Sequence, residues 1–170
     1  MVRLFDERYI EDMSYIRFVA DNTFHIEKSM LYSKIGENIK SVEFIRLKDK
    51  ELLFIEAKTT FPNPDNSSEE NFERLQIEVN EICEKFIHSL NLFSSIKTYV
   101  NEDEFAADFA LSEKVSLVFM LVIKNHEPLW CRKLKPIIIA ALPVYMKRIW
   151  KPEVRIINHA TAIRESIALD

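Results

Sequence analysis

Residues 41–60 read SVEFIRLKDKELLFIEAKTT, two apolar runs on either side of a charged turn. Alternation counted from that turn puts Glu56 and Lys58 on one face of the second strand and Leu53, Ile55 and Ala57 on the other, because residues two apart in a strand point the same way. A two-residue turn at Asp49-Lys50 places Glu43 directly across from Glu56. The predicted hairpin therefore gathers two acids and one amine at the end of an otherwise hydrophobic sheet, where unpaired charge is costly and is kept for a reason. Carboxylates so placed can hold a metal ion.

Outward from the hairpin, residues 14–28 are rich in β-branched and aromatic types around Asp21-Asn22, which fits either a hairpin or a strand leading into a short helix. Residues 29–35 form one or two helical turns stopped by Gly36. After Thr60, the stretch FPNPDNSSEEN is a loop, its prolines unable to continue a strand, and Ser68 before two acids marks a helix start. Phe72, Leu75, Val79, Ile82, Phe86 and Leu90 then recur at intervals of three and four, which predicts an amphipathic helix over 69–96. Its opposite face, with Glu73, Arg74, Glu81 and Glu84, is expected to be solvated.

Residues 101–108 are acidic and read as a loop or short helix. Residues 115–123 are almost wholly apolar, as in a central strand covered on both faces. Residues 128–150 read as largely helical, broken or kinked at Pro136 and Pro143. A last strand over 153–158 and a last helix over 159–169 complete an α/β pattern: a single domain, residues 1–170, with a central mixed β-sheet flanked by helices.

Composition narrows the function. A chain of 170 residues can bury a core without disulfides, and its two cysteines, Cys83 and Cys131, have no partner spacing. Reduced thiols, a charged N-terminus and apolar runs too short to span a bilayer fit a cytoplasmic protein with no membrane partner. A net charge of −4 gives no support to coating nucleic acid by bulk electrostatics. Gly36 is the single glycine, which excludes P-loop and dinucleotide-binding fingerprints. G-x-S-x-G and H-E-x-x-H signatures are also missing from the sequence.

Val42-Glu43-Phe44-Ile45, followed thirteen residues after the acid by Glu56-Ala57-Lys58, resembles the PD-(D/E)xK nuclease superfamily. The likeness in motif covers residues 41–60 and extends by element order to about residue 123. It implies a restriction-endonuclease-like core and a metal-dependent nuclease acting on nucleic acid, DNA before RNA. Glu43 and Glu56 match the family's acids and would bind Mg²⁺ or Mn²⁺ with the carbonyl of Ala57. Lys58 matches the lysine that orients and activates water. For the further acid that the family takes from an early helix, Glu27 is the candidate, with His25 beside it to assist. The first acid is Glu rather than the commoner Asp, and no proline precedes it.

Thr59 and Thr60 are candidates to donate to a phosphate, and Gln76 and Lys85 on the long helix to touch nucleic acid. Arg132, Lys133, Lys135, Lys147, Arg148 and Lys151 are a second basic set, while Trp130 and Trp150 are expected in the core. The alternative function is an inactive nuclease-like interaction module in a larger complex, whose partner would be another protein or a second copy of the chain.

Overall fold

In the computed structural model, which describes residues 9–11, 16–98, 100 and 114–170, the chain begins with strands β1 (Tyr9–Glu11), β2 (Arg17–Val19) and β3 (Thr23–Phe24). A 3-10 turn (Ile26–Lys28) leads to helix α1 (Met30–Ile35), and strands β4 (Phe44–Lys48) and β5 (Glu51–Lys58) follow. The long helix α2 (Glu69–Lys97), strand β6 (Ser116–Ile123) and helix α3 (Pro128–Ala141) come next. A π-helical turn (Met146–Trp150), strand β7 (Glu153–Asn158), helix α4 (His159–Arg164) and strand β8 (Ala168–Leu169) end it.

Asp49 and Lys50 both take positive φ, 49° and 66°, the left-handed pair that a two-residue hairpin turn needs to match strand twist. That turn sets the antiparallel register of β4 on β5, from Lys48↔Glu51 to Phe44↔Ile55. Strand β3 pairs antiparallel with β4, while β6 lies parallel to β5 and β7 parallel to β6, giving a mixed sheet of order β3-β4-β5-β6-β7. A parallel neighbour cannot follow through a tight turn, so the segment between β5 and β6, with α2 in it, is the crossover.

The period-two pattern of the hairpin sorts its side chains onto two cores. Leu52 and Phe54 point to the α2 side, where Leu75, Val79, Ile82, Phe86 and Leu90 of α2 meet Phe119 and Leu121 of β6 and Leu134 and Ile138 of α3. Phe86 stacks flat on Phe119 at 4.6 Å between ring centroids. Leu53, Ile55 and Ala57 point the other way, against Val118, Met120, Phe18 of β2 and Ala162 of α4. Each such large side chain contributes about 1.5–3 kcal/mol by leaving water. Ser68 caps α2, its hydroxyl accepting from Asn71 N at 3.3 Å, and Glu69 and Glu70 suit the positive end of the helix dipole.

Several expectations need correcting. Phe72, at the head of the periodic stripe, is 58% exposed, and Trp150 is 45% exposed in its π-helical turn. The last helix stops at Arg164, because Ser166 turns left-handed (φ 57°) and sends the chain into β8 beside β2. Of the two readings of residues 14–28, the strand leading into a short helix holds, since β2 and β3 belong to different sheets and β3 runs into the 3-10 turn. Residues 101–108 lie outside the described residues. Cys83 and Cys131 are buried free thiols, both pushed up to about 11 by burial.

Candidate metal centre

Two hydrogen bonds from α2 fix where β4 begins. Val42 N donates to Ser89 Oγ at 2.8 Å and Lys40 N to His88 Nδ1 at 3.1 Å, so the chain meets the sheet held against the helix. Val42 fills the α2-side core and Phe44 the other. Half-buried Glu43 stands between them, in the bend just before Phe44↔Ile55, the pair at which the β4–β5 ladder ends. On its other side β3 ends at Phe24, and His25 sets its ring edgewise on Phe44 at 6.0 Å. Glu27 follows in the 3-10 turn, and the ligand atoms of His25, Glu27 and Glu43 all lie within 4.8 Å of one another.

Burial governs the rest of the site. Glu56 is 1% exposed; its Oε1 takes a hydrogen bond from Lys85 Nζ at 2.5 Å, while Oε2 has no hydrogen-bond partner among the described residues. Desolvation pushes the Glu56 carboxyl up to about 7 although Lys85 and Lys58 oppose it, and the charge of Glu27 adds to the rise. Burial draws Lys85 down, but Glu56, Glu43 and Glu81 together hold it above the ordinary lysine value. His25 is drawn below the usual histidine value by burial and by Lys28, with Glu27 acting the other way, which favours the neutral ring that can ligate.

Lys58 shares the Glu56 face of β5, but its amine meets Glu78 at 3.3 Å and Glu81 at 3.4 Å, both on α2. Lys85, expected to face nucleic acid, is instead the cation on Glu56. Thr59 and Thr60 are exposed just beyond β5, where the Thr59 carbonyl accepts from Asn125 N at 3.0 Å. Lys133 of the second basic set is paired with Asp65 at 2.5 Å. The structure thus brings Glu27, His25 and Glu43 together, sets Glu56 and Lys85 beside them, and holds Lys58 on a neighbouring acid pair.

Sequence reading missed the second polar stripe of α2. Glu78, Glu81, Lys85 and His88 are spaced three, four and three apart, which puts them on one helix face. That face looks onto the end of the hairpin rather than into solvent, and only Glu73, Arg74 and Glu84 of the expected solvated set are fully exposed. The signal was present in the spacing of the charged residues, in step with the apolar stripe beside them.

The donor set suits a divalent cation: an imidazole nitrogen and two carboxylates within 4.8 Å of one another, and near them a buried Glu56 oxygen with no hydrogen-bond partner among the described residues. No known protein family, curated protein or solved structure matches the chain.

Proposed function

We propose that the chain is a metal-dependent phosphodiesterase acting on nucleic acid, DNA before RNA, with its site at the end of β4 and β5. The observation that carries this reading is Glu56, buried, with one carboxylate oxygen lacking a hydrogen bond among the described residues, and near enough to the His25–Glu27–Glu43 cluster to feel the charge of Glu27. The element order supports the restriction-endonuclease-like core: an antiparallel pair carrying the acids, a long helix, then a parallel strand beside the second acid.

Glu43, Glu27 and Glu56 would hold the ion with His25. When bound, a divalent cation neutralises the phosphodiester and acidifies water. Lys85 keeps Glu56 aligned and offsets its charge. Lys58 is the residue for orienting the attacking water; its two contacts on α2 are partly exposed ion pairs of at most about 1 kcal/mol each, a small cost for turning towards substrate. Thr59 and Thr60 follow immediately and offer hydroxyls to a phosphate.

The test is incubation of single-stranded DNA, duplex DNA and RNA with Mn²⁺, comparing wild type with Glu56→Ala. Cleavage by wild type and a loss of at least about 100-fold in the variant is the expected result. No wild-type cleavage of any of the three would sink the reading.

A second reading rests on a different surface. Between α2 and α3 lies an apolar groove of about 580 Å³, lined by Phe72, Val79, Pro136 and Ile137 among others. Val144, Tyr145, Ile149 and Trp150 add exposed apolar area just after α3. Exposed apolar surface of this kind marks interaction sites, and it favours the inactive module that binds another protein if cleavage is absent.

A further inference from the structure

The composition of the donor set says which cation the site takes. Ligands sharing one ion at about 2.1 Å stand roughly 3–4 Å apart, so atoms already within 4.8 Å of one another need small side-chain rotations to converge. Two of the three belong to short, adjoining segments: His25 follows β3 directly and Glu27 lies in the next turn. The third, Glu43, is fixed by the backbone hydrogen bond that Val42 gives to Ser89 on α2. Independently of this cluster, Glu56 offers an oxygen that is buried in the fold and has no hydrogen-bond partner among the described residues. It is close enough to Glu27 to feel that residue's charge, on the strand whose ladder with β4 ends one residue before it, at Phe44↔Ile55.

A magnesium site is built of oxygen, with several waters retained. An imidazole contributes little to Mg²⁺ and much more to the later first-row dications, whose affinity for nitrogen donors rises from Mn²⁺ towards Cu²⁺. We propose that His25, Glu27 and Glu43 ligate one transition-metal dication in preference to Mg²⁺, with the free oxygen of Glu56 as a further ligand. The proposal rests on the metal-site part of the nuclease reading and makes His25 a ligand rather than an accessory to catalysis. It also assigns Lys85 a competing role, since its amine holds the other oxygen of Glu56.

Calorimetric titration of Mg²⁺, Mn²⁺ and Co²⁺ into the full chain tests this without nucleic acid. Co²⁺ should bind at least about tenfold tighter than Mg²⁺, with Mn²⁺ between them, and His25→Ala should close most of that gap. Equal affinities in wild type, a gap that survives in His25→Ala, or no binding of any ion would overturn it. A second measurement avoids substitution: substoichiometric Mn²⁺ should broaden the imidazole proton signals of His25 before those of His88, His126 and His159. Broadening of another histidine first, or of none, would also overturn it. The two readings fail separately. The stated metal preference without cleavage removes the nuclease alone; cleavage supported equally by Mg²⁺ and Co²⁺, lost in Glu56→Ala and untouched in His25→Ala, removes the His25 assignment alone.

Discussion

Strand β5 carries a glutamate near each end, and the two have opposite fates. Glu51 lies on the face of Leu53 and Ile55, where Arg155 of β7 reaches across to it and meets both of its oxygens, one at 2.9 Å. Arg155 also binds Glu153, and all three side chains keep some exposure. Glu56, on the α2 face, is 1% exposed, accepts from Lys85, and leaves one oxygen without a hydrogen bond among the described residues. A planar guanidinium matched to a carboxylate completes its hydrogen bonding, so the Glu51 arrangement is a finished structural pairing. The Glu56 arrangement is unfinished, and a fold keeps an unfinished buried charge where something else is to bind.

The largest effect should come from removing the cation hydrogen-bonded to Glu56. Lys85→Met leaves a buried carboxylate without its partner, and breaking a buried pair from one side costs about 3–5 kcal/mol. Urea denaturation at pH 8 in the presence of a chelator measures this. At pH 5 the loss should shrink, since Glu56 is then protonated in the folded state and needs no counter-charge. A loss below about 1 kcal/mol at pH 8 would place Glu56 with Glu51, as an ordinary pair.

A smaller effect follows from pH alone. The folded-state value of Glu56, about 7, lies above the ordinary carboxyl value of 4.5. The folded state therefore binds the proton more tightly than the unfolded one, so this residue's contribution is fully present below pH 4.5. It is lost as pH rises through 7, by on the order of 3 kcal/mol. Wild type without metal should lose stability across that window, and Glu56→Gln should flatten that part of the profile. A Glu56→Gln profile parallel to that of wild type would show that Glu56 is not the titrating group.

How much of this contrast was legible beforehand depended on distance along the chain. The hairpin, its register and the faces of Glu56 and Lys58 follow from a two-residue turn and a period of two, both local, and the structure keeps them. The α2 stripe from Leu75 to Leu90 and the buried strand β6 are local patterns too. The partners of the charges are not local. Lys85 is 29 residues from Glu56, and Arg155 is 104 from Glu51. Which lysine meets Glu56 is decided by how α2 lies over the sheet, and the bond from Val42 to Ser89 belongs to that packing. Phe72 fitted the apolar period yet stands exposed, because it lies in the first turn of α2, at the open groove beside α3. The break of the last helix depended on Ser166 adopting a positive φ, which nothing in its residue type requires.

The smallest effect is the one that calibrates the others. Glu51→Gln should cost about 1 kcal/mol or less, because the Glu51–Arg155 pair is partly exposed and Arg155 keeps Glu153 as a second partner. The same loss should fall further in 0.5 M salt, where the Debye length drops to roughly 4 Å and water-accessible charges are screened. The Lys85→Met loss should barely move in that salt, since burial keeps counterions from Glu56. Measuring both variants by urea denaturation at low and high salt compares the two ends of β5 under one readout. Equal salt sensitivity would mean that bulk solvent screens the Glu56–Lys85 pair as it screens Glu51–Arg155, and the contrast between an unfinished buried carboxylate and a finished, partly exposed pair would then lose its physical basis.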